Sequence, residues 1–125
     1  MTEACDKMIF VVDDDKAIRE TLEDLLQDEG YSVVTAMNGQ EALQKLRADS
    51  SRRPCVILLD LMMPVMNGAD FYAAQQNDPA LSSIPVVVIS ADGHISVKAK
   101  PFGGDYLAKP IRIETVLNAI ERHCA

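Results

Sequence analysis

Apolar residues run without interruption in three short stretches of the chain, at residues 8–12, 55–59 and 86–89. Runs of four or five apolar residues with polar neighbours are typical of strands that are buried on both faces, as they are in parallel sheets. Two less apolar segments, residues 32–35 and 105–108, have the length of further strands. The pattern therefore predicts five strands.

Between these strands, apolar residues recur with the spacing of a helix. In the clearest case Ile18, Leu22 and Leu26 share one face with Thr21 and Leu25, and Gly30 is placed to end the helix. Alternating strands and helices indicate an α/β fold around a doubly wound parallel sheet. The weaker helical patterns are carried by Ala42, Leu43 and Leu46, by Phe71 and Ala74, and by Val116, Leu117 and Ile120.

Composition agrees with one folded domain over residues 1–125, because 48% of the residues are apolar and 25% are charged. The 19 acidic and 12 basic residues give a net charge of −7, which repels nucleic-acid phosphates and anionic lipid. No apolar run approaches the roughly 20 residues of a membrane span. We therefore expect a cytoplasmic protein with no direct nucleic-acid or membrane partner.

The three cysteines, Cys5, Cys55 and Cys124, are odd in number and lie far apart in the sequence. They lack the close pairing of a zinc or redox site. Cys55 precedes four apolar residues, where a thiol behaves as a small buried apolar group. The sequence predicts reduced thiols with no chemical role.

Polar side chains stand at the ends of four predicted strands. Asp13 and Asp14 follow the first strand, Asp60 the third, Ser90 the fourth and Lys109 the fifth. In open α/β sheets, ligands bind outside the carboxyl ends of the strands. We therefore expect these side chains to converge on one site.

Three consecutive acids, Asp13, Asp14 and Asp15, admit two interpretations. One of them can cap the helix that follows. A cap requires a single carboxylate, however, and three in a row repel one another unless a hard cation such as Mg²⁺ relieves the repulsion. The sequence therefore favours a cap together with a metal site.

The same strand ends carry four motifs by which the chain resembles the response-regulator receiver family of two-component phosphorelay systems, over essentially all 125 residues. The resemblance implies a flavodoxin-like sheet in the order 2-1-3-4-5, which the residues alone do not fix. The motifs are V-V-D-D-D-K at residues 11–16, L-D-L-M-M-P-V-M-N-G at 59–68, I-S-A at 89–91 and D-Y-L-A-K-P at 105–110.

The resemblance implies that Asp60 accepts a phosphoryl group from a sensor histidine kinase or a histidine phosphotransfer protein. It also implies that Asp14 and Asp60 bind Mg²⁺, or Mn²⁺, directly. Asp13 would act largely through water, and the backbone carbonyl of Met62 would complete the protein ligands. The chain would then be no enzyme toward external substrates, because it would catalyse only its own phosphorylation and dephosphorylation.

Three further residues receive roles from the resemblance. Lys109 would contact the phosphoryl oxygens, and Ser90 would donate its hydroxyl to them. Tyr106 would be an aromatic switch that turns inward, although a half-buried strand tyrosine is an equal alternative. The resemblance also implies that the peptide bond before Pro110 is cis, a form that costs little for an X-Pro bond.

The chain departs from the family between Ser90 and Lys109, where it is shorter by about a helical turn and contains Pro101. The fourth helix should therefore be short or irregular and should end before Lys100. Because this region commonly carries partner contacts, we expect a monomer or weak dimer and leave the output partner unidentified. Asp92, like Met62, stands where the family tunes self-dephosphorylation.

Two other functions remain as alternatives. A pseudo-receiver would keep the fold as a protein-interaction module without phosphorylation, but such modules usually lack an acid or the lysine. A Mg²⁺-dependent phosphatase with an aspartyl nucleophile would need a second acid two residues after Asp60, where Met62 stands. His94 and His123 are isolated and receive no role.

Overall fold

The computed structural model describes residues 7–48, 53–63, 65–91 and 93–124, in which strands and helices alternate. None of the described helices is long and apolar enough to cross a membrane. The strands are β1 (Met8–Val12), β2 (Ser32–Ala36), β3 (Val56–Asp60), β4 (Val86–Ser90) and β5 (Tyr106–Ala108). The helices are α1 (Lys16–Asp28), α2 (Gly39–Ala48), α3 (Gly68–Gln76), α4 (Ile95–Lys98) and α5 (Ile113–Cys124).

The five strands form one parallel sheet in the order β2-β1-β3-β4-β5, which confirms the flavodoxin-like class. The apolar runs located the strands to within about one residue. The differences fall at strand ends, because β3 includes Asp60 and β4 includes Ser90, residues that the apolar pattern does not count. Two of the polar residues singled out from the sequence are therefore the last residues of buried strands.

Both faces of the sheet are covered, as the continuous apolar runs predict. In β1, Phe10 and Val12 contribute to a core that also contains buried residues of α2 and α3. Ile9 and Val11 contribute to a second core, which contains buried residues of α1 and α5. Side chains alternate along a strand, so every residue of β1 is buried by one layer of helices or the other.

Helix α1 begins and ends where the sequence signals indicate. The carboxylate of Asp15 accepts hydrogen bonds from the backbone N–H groups of Ala17 and Ile18, at 2.9 Å and 3.4 Å. Gly30 has a φ of 94°, the left-handed conformation that glycine adopts without strain after a helix. One of the three consecutive acids is therefore the helix cap, which leaves the other two for the site.

The fourth helix is short, as predicted. It makes a single turn over Ile95–Lys98, and a 3₁₀ turn follows at Lys100–Phe102. The segment then passes through Gly103 and Gly104, both in the left-handed region. Pro101 lacks the N–H that a continuing α-helix requires, which accounts for the early end of the helix.

The prediction of reduced, unpaired cysteines is wrong for two of the three. Cys55 and Cys124 form a disulfide with their Cα atoms 5.4 Å apart. They are separated by 69 residues in the sequence, but the fold brings the start of β3 against the end of α5. Cys55 is only half-buried, whereas Cys124 is buried. Cys5 lies outside the described residues.

Candidate functional site

The polar residues at the strand ends converge at the carboxyl edge of the sheet, as the sequence predicts. Asp13 directly follows β1, Asp60 ends β3, Ser90 ends β4 and Lys109 directly follows β5. A cleft with a volume of about 540 Å³ opens at this edge. Its lining consists of Asp14, Asp15, Asp60, Met62, Ser90, Ala91, Lys98 and Lys109.

Three carboxylates meet at the base of the cleft. One oxygen from each of Asp13, Asp14 and Asp60 lies within 4.8 Å of the others. Asp13 is fully buried and Asp60 is 3% exposed, whereas Asp14 is open to solvent. Oδ1 of Asp13 accepts a hydrogen bond from the backbone N–H of Asp15 at 2.9 Å, but its buried Oδ2 accepts none within the described residues. This donor set fits a hard divalent cation with oxygen ligands.

Lys109 is the cation that faces these carboxylates. Its Nζ lies 3.4 Å from Oδ2 of Asp13 and 3.6 Å from Oδ2 of Asp60. Burial lowers the pKa of Lys109, but the two carboxylates outweigh that effect and the net direction is upward. Lys109 therefore stays protonated at neutral pH, and its single charge opposes more than one carboxylate.

The backbone holds Lys109 at this position. Its N–H donates a hydrogen bond to the carbonyl of Ser90 at 2.9 Å, which joins the end of β5 to the end of β4. The peptide bond between Lys109 and Pro110 is cis, as expected from the sequence. Lys109 thus leaves the sheet beside the strand end that carries Ser90.

The pKa of the Asp60 carboxyl group is raised toward neutral pH. Burial raises its pKa to about 6, and the negative charge of Asp13 acts in the same direction. Two contacts act in the opposite direction, namely a hydrogen bond from the backbone N–H of Met62 to Oδ1, at 3.1 Å, and the charge of Lys109. The ionised form of Asp60 therefore gains from any further positive charge in the cleft.

The loop after β3 explains why an Asn-Gly pair follows Asp60 in the sequence. Asn67 caps α3 by accepting a hydrogen bond from the N–H of Asp70 at 2.8 Å. At Gly68, an added Cβ would lie 2.7 Å from the backbone oxygen of Asp60 and 2.8 Å from the Cα of Leu61. Glycine is required here because helix α3 starts against the backbone of the acid itself.

Besides Asp14, two sequence-predicted site residues have exposed side chains. Tyr106 is 41% exposed, more than the half-buried strand tyrosine considered from the sequence, and it is not among the residues that line the cleft. The side chain of Met62 is 76% exposed at the cleft, although its backbone N–H contacts Asp60. Asp92 lies outside the described residues.

One residue of the cleft was missed by the sequence analysis. Lys98, the last residue of α4, lines the cleft together with Asp60 and Lys109. The signal in the sequence was the short segment between Ser90 and Lys109, which restricts how far α4 can extend from the strand ends. From the sequence, the short segment predicted only that the fourth helix would be short or irregular.

A family model for the response regulator receiver domain matches residues 9–121, and the chain belongs to this family. Among curated relatives, protein PilG of Pseudomonas aeruginosa is 41% identical over 118 residues, covering 92% of this chain and 85% of PilG. Response regulator MprA of Mycobacterium tuberculosis is 37% identical over 112 residues, covering 87% of this chain. The chain spans only 46% of the length of MprA.

Solved structures agree with this assignment. Chemotaxis protein CheY4 of Vibrio cholerae superposes with a TM-score of 0.81 at 32% identity, covering 94% of this chain and 98% of CheY4. The receiver domain of Francisella response regulator 1452 superposes with a TM-score of 0.79 at 25% identity, covering 93% and 94%. The chain is therefore a receiver domain, and the acids and lysine that a pseudo-receiver usually lacks are present and assembled.

Proposed function

We propose that Asp60 accepts a phosphoryl group from a sensor histidine kinase or a histidine phosphotransfer protein. The observation that carries this proposal is the position of its carboxylate. Asp60 ends a buried strand at the base of an open cleft, within 4.8 Å of Asp13 and Asp14 and 3.6 Å from Nζ of Lys109. A phosphoryl donor can enter through the open side of the cleft, and the buried strand fixes the position of the acceptor carboxylate.

The transfer requires ionised Asp60, because a carboxylate oxygen attacks phosphorus as the bond to the donor breaks. The product is an acyl phosphate on Asp60, and the donor leaves with its bonding electron pair. Lys109, whose Nζ lies 3.6 Å from Oδ2 of Asp60 in the same cleft, would neutralise charge on the phosphoryl oxygens. Because burial disfavours the charge on Asp60, a neighbouring cation also keeps the acceptor in its reactive form.

The cofactor of this reaction would be Mg²⁺, with Mn²⁺ as a substitute, held directly by the carboxylates of Asp14 and Asp60 and the backbone carbonyl of Met62, with Asp13 acting largely through water. The bound ion would neutralise charge on the transferred phosphoryl group. The proposal is supported by the three converging carboxylates, whose mutual repulsion the single charge of Lys109 offsets only in part. Asp13 contributes charge and orientation from its fully buried position.

The signal would leave the site through Ser90 and Tyr106. Ser90 is buried one residue beyond Ile89, the strand partner of Asp60, so its hydroxyl is in a position to donate to a phosphoryl oxygen. Tyr106 is exposed in the unphosphorylated chain and would become less exposed after modification. The modification adds about −1.5 to −2 charges and three acceptor oxygens, which can shift an element that has two arrangements.

Further proposals concern how the domain works in the cell, namely its own catalysis, its location, its oligomeric state and its output partner. Phosphorylation and hydrolysis would occur on the chain itself, without an external substrate. The single domain over residues 1–125, the cytoplasmic location and the monomer or weak dimer remain predictions from the sequence. The output partner is unidentified, and MprA, of which this chain spans 46%, illustrates a relative with a further segment.

Intact mass after incubation with a small acyl phosphate and Mg²⁺ tests the proposal. Wild type should gain one phosphoryl group, and Asp60→Asn should gain none, because an amide oxygen is a poor nucleophile. Asp70→Asn is the matched control, because Asp70 is an exposed acid on α3 and should be dispensable. Chelation of Mg²⁺ should prevent the adduct. An unmodified wild type, or an adduct that persists in Asp60→Asn, would contradict the proposal.

A further inference from the structure

We propose that Lys98 is a second phosphoryl-binding cation of the cleft, which draws anionic phosphoryl donors toward Asp60. This inference rests on the proposed function of Asp60. Lys98 is the last residue of the single-turn helix α4 and lines the cleft that contains Asp60, Ser90 and Lys109. The role assigned to it is capture of the donor at the rim, before transfer at the base.

Two buried residues hold Lys98 in this place. Ile95 and Ala99 are 5% and 0% exposed, and their spacing of four residues puts them on one face of the turn, toward the core. The N–H of Ala99 donates to the carbonyl of Ile95 at 2.8 Å, which closes the turn. Lys98 precedes the buried Ala99 and is itself exposed, so its ammonium group can reach solvent at the mouth of the cleft.

The charges of the cleft explain why a second cation is useful. Four carboxylates, from Asp13, Asp14, Asp15 and Asp60, stand in or directly behind the cleft. Lys109 and a divalent metal ion would leave one negative charge uncompensated, and an incoming phosphoryl group is itself anionic. Lys98 adds a positive charge to the lining of the cleft, which reduces the repulsion that would otherwise slow the approach of the donor.

The effect of Lys98 should be separable from that of Lys109. Lys109 contacts the acceptor itself, because its Nζ lies 3.6 Å from Oδ2 of Asp60. Lys98 acts instead on ions that enter the cleft. Removing its charge should weaken capture of an anion and strengthen binding of a cation, two changes of opposite sign. Damage to the folded structure would weaken both.

The test measures both ions on the same variants. Initial phosphorylation rates are measured by intact mass with acetyl phosphate as the probe, and Mg²⁺ affinity is measured by calorimetry on the unphosphorylated protein. Lys98→Gln should lower the rate about three- to fivefold at low ionic strength, with a smaller effect at high salt. It should raise the affinity for Mg²⁺ about twofold. Lys98→Arg should restore both values.

Lys100→Gln is the matched control, because Lys100 is an exposed lysine of the following 3₁₀ turn and is not one of the cleft-lining residues. It removes the same charge and should change neither quantity. Equal effects of Lys98→Gln and Lys100→Gln would overturn the proposal in favour of net charge alone. Loss of both phosphorylation and Mg²⁺ binding would overturn it in favour of a structural role.

The same measurements separate this inference from the function on which it rests. If wild type is phosphorylated on Asp60 and Lys98→Gln is phosphorylated at the same rate, only the role of Lys98 fails. If wild type takes up no phosphoryl group although Mg²⁺ binds, the proposed function of Asp60 fails and the role of Lys98 fails with it.

Discussion

At one end of the sheet, a disulfide between Cys55 and Cys124 joins the start of β3 to the end of α5. At the carboxyl end, the ammonium group of Lys109 instead forms ion pairs with the carboxylates of Asp13 and Asp60. The covalent connection adds stability by restricting the unfolded chain, provided that the surroundings keep it oxidised. The carboxyl end instead keeps like charges close, with burial raising the pKa of Asp60 to about 6. Stability and reactivity are thus placed at opposite ends of the same strands.

The largest effect is expected at the covalent end. A disulfide that closes a loop of 69 residues restricts the unfolded chain and contributes about 4 kcal/mol to the free energy of unfolding. Urea unfolding with and without reductant should show this difference. In Cys55→Ser/Cys124→Ser, reductant should have no effect. Alkylation of all three cysteines in the folded, unreduced protein would contradict the disulfide and remove the contrast between the two ends.

The next effect concerns the contact between α3 and the acceptor strand. Gly68→Ala should destabilise the protein by about 2 kcal/mol, because the new Cβ would lie 2.7 Å from the backbone oxygen of Asp60 and the backbone must shift. It should also slow phosphorylation. Gly93→Ala is the control, because its Cβ would meet nothing within 4 Å. Equal stability and equal phosphorylation of the two variants would show that the acceptor strand does not depend on this close contact.

A smaller effect of opposite sign is expected at the carboxyl end. Folded Asp60 has a raised pKa of about 6 against 3.8, so the folded state binds its proton more tightly than the unfolded state does. This group therefore lowers stability as pH rises from about 3.8 to 6, and the loss remains at higher pH. In metal-free protein, Asp60→Asn should remove that loss and stabilise the fold by about 1 to 2 kcal/mol near neutral pH, less than the full pKa shift implies because water in the open cleft screens part of the effect.

The test is to measure unfolding free energies in the presence of a chelator, once below and once above the pH interval from about 3.8 to 6. The difference in unfolding free energy between Asp60→Asn and wild type should be larger above the interval than below it. Asp70→Asn should follow wild type at both pH values. If the difference in unfolding free energy between Asp60→Asn and wild type does not change with pH, the pKa of Asp60 is not raised in the folded state. The carboxyl end of the sheet would then carry no destabilising charge, and the contrast with the disulfide end would disappear.

The sequence predicted most of the fold because short apolar runs and helical spacing report burial directly. Strand β1 was predicted over Met8–Val12, as the structure has it, and the errors elsewhere are single residues at strand ends, such as Ala36 and Asp60. Four motifs at four strand ends also predicted which side chains would meet. These features are local, or follow from the rule that parallel strands end at one edge.

What could not be predicted depends on distance in space. The pairing of Cys55 with Cys124 requires knowing that α5 ends beside the start of β3, which no local pattern encodes. Asp13 and Asp14 are adjacent and chemically identical in sequence, but the fold buries the first and exposes the second. The place of Lys98 depends on how a shortened segment packs over the strand ends, which composition does not specify.

The central claim is that Asp60 is the residue that carries the phosphoryl group, and its chemical trapping tests this directly. Hydroxylamine converts an acyl phosphate into a stable hydroxamate, so wild type treated first with acetyl phosphate and Mg²⁺ and then with hydroxylamine keeps a mark at the acceptor. Peptide fragmentation by mass spectrometry then identifies the marked residue. The account predicts a hydroxamate at Asp60 alone. A hydroxamate at Asp13, Asp14 or any other carboxylate, or none at all, would contradict it.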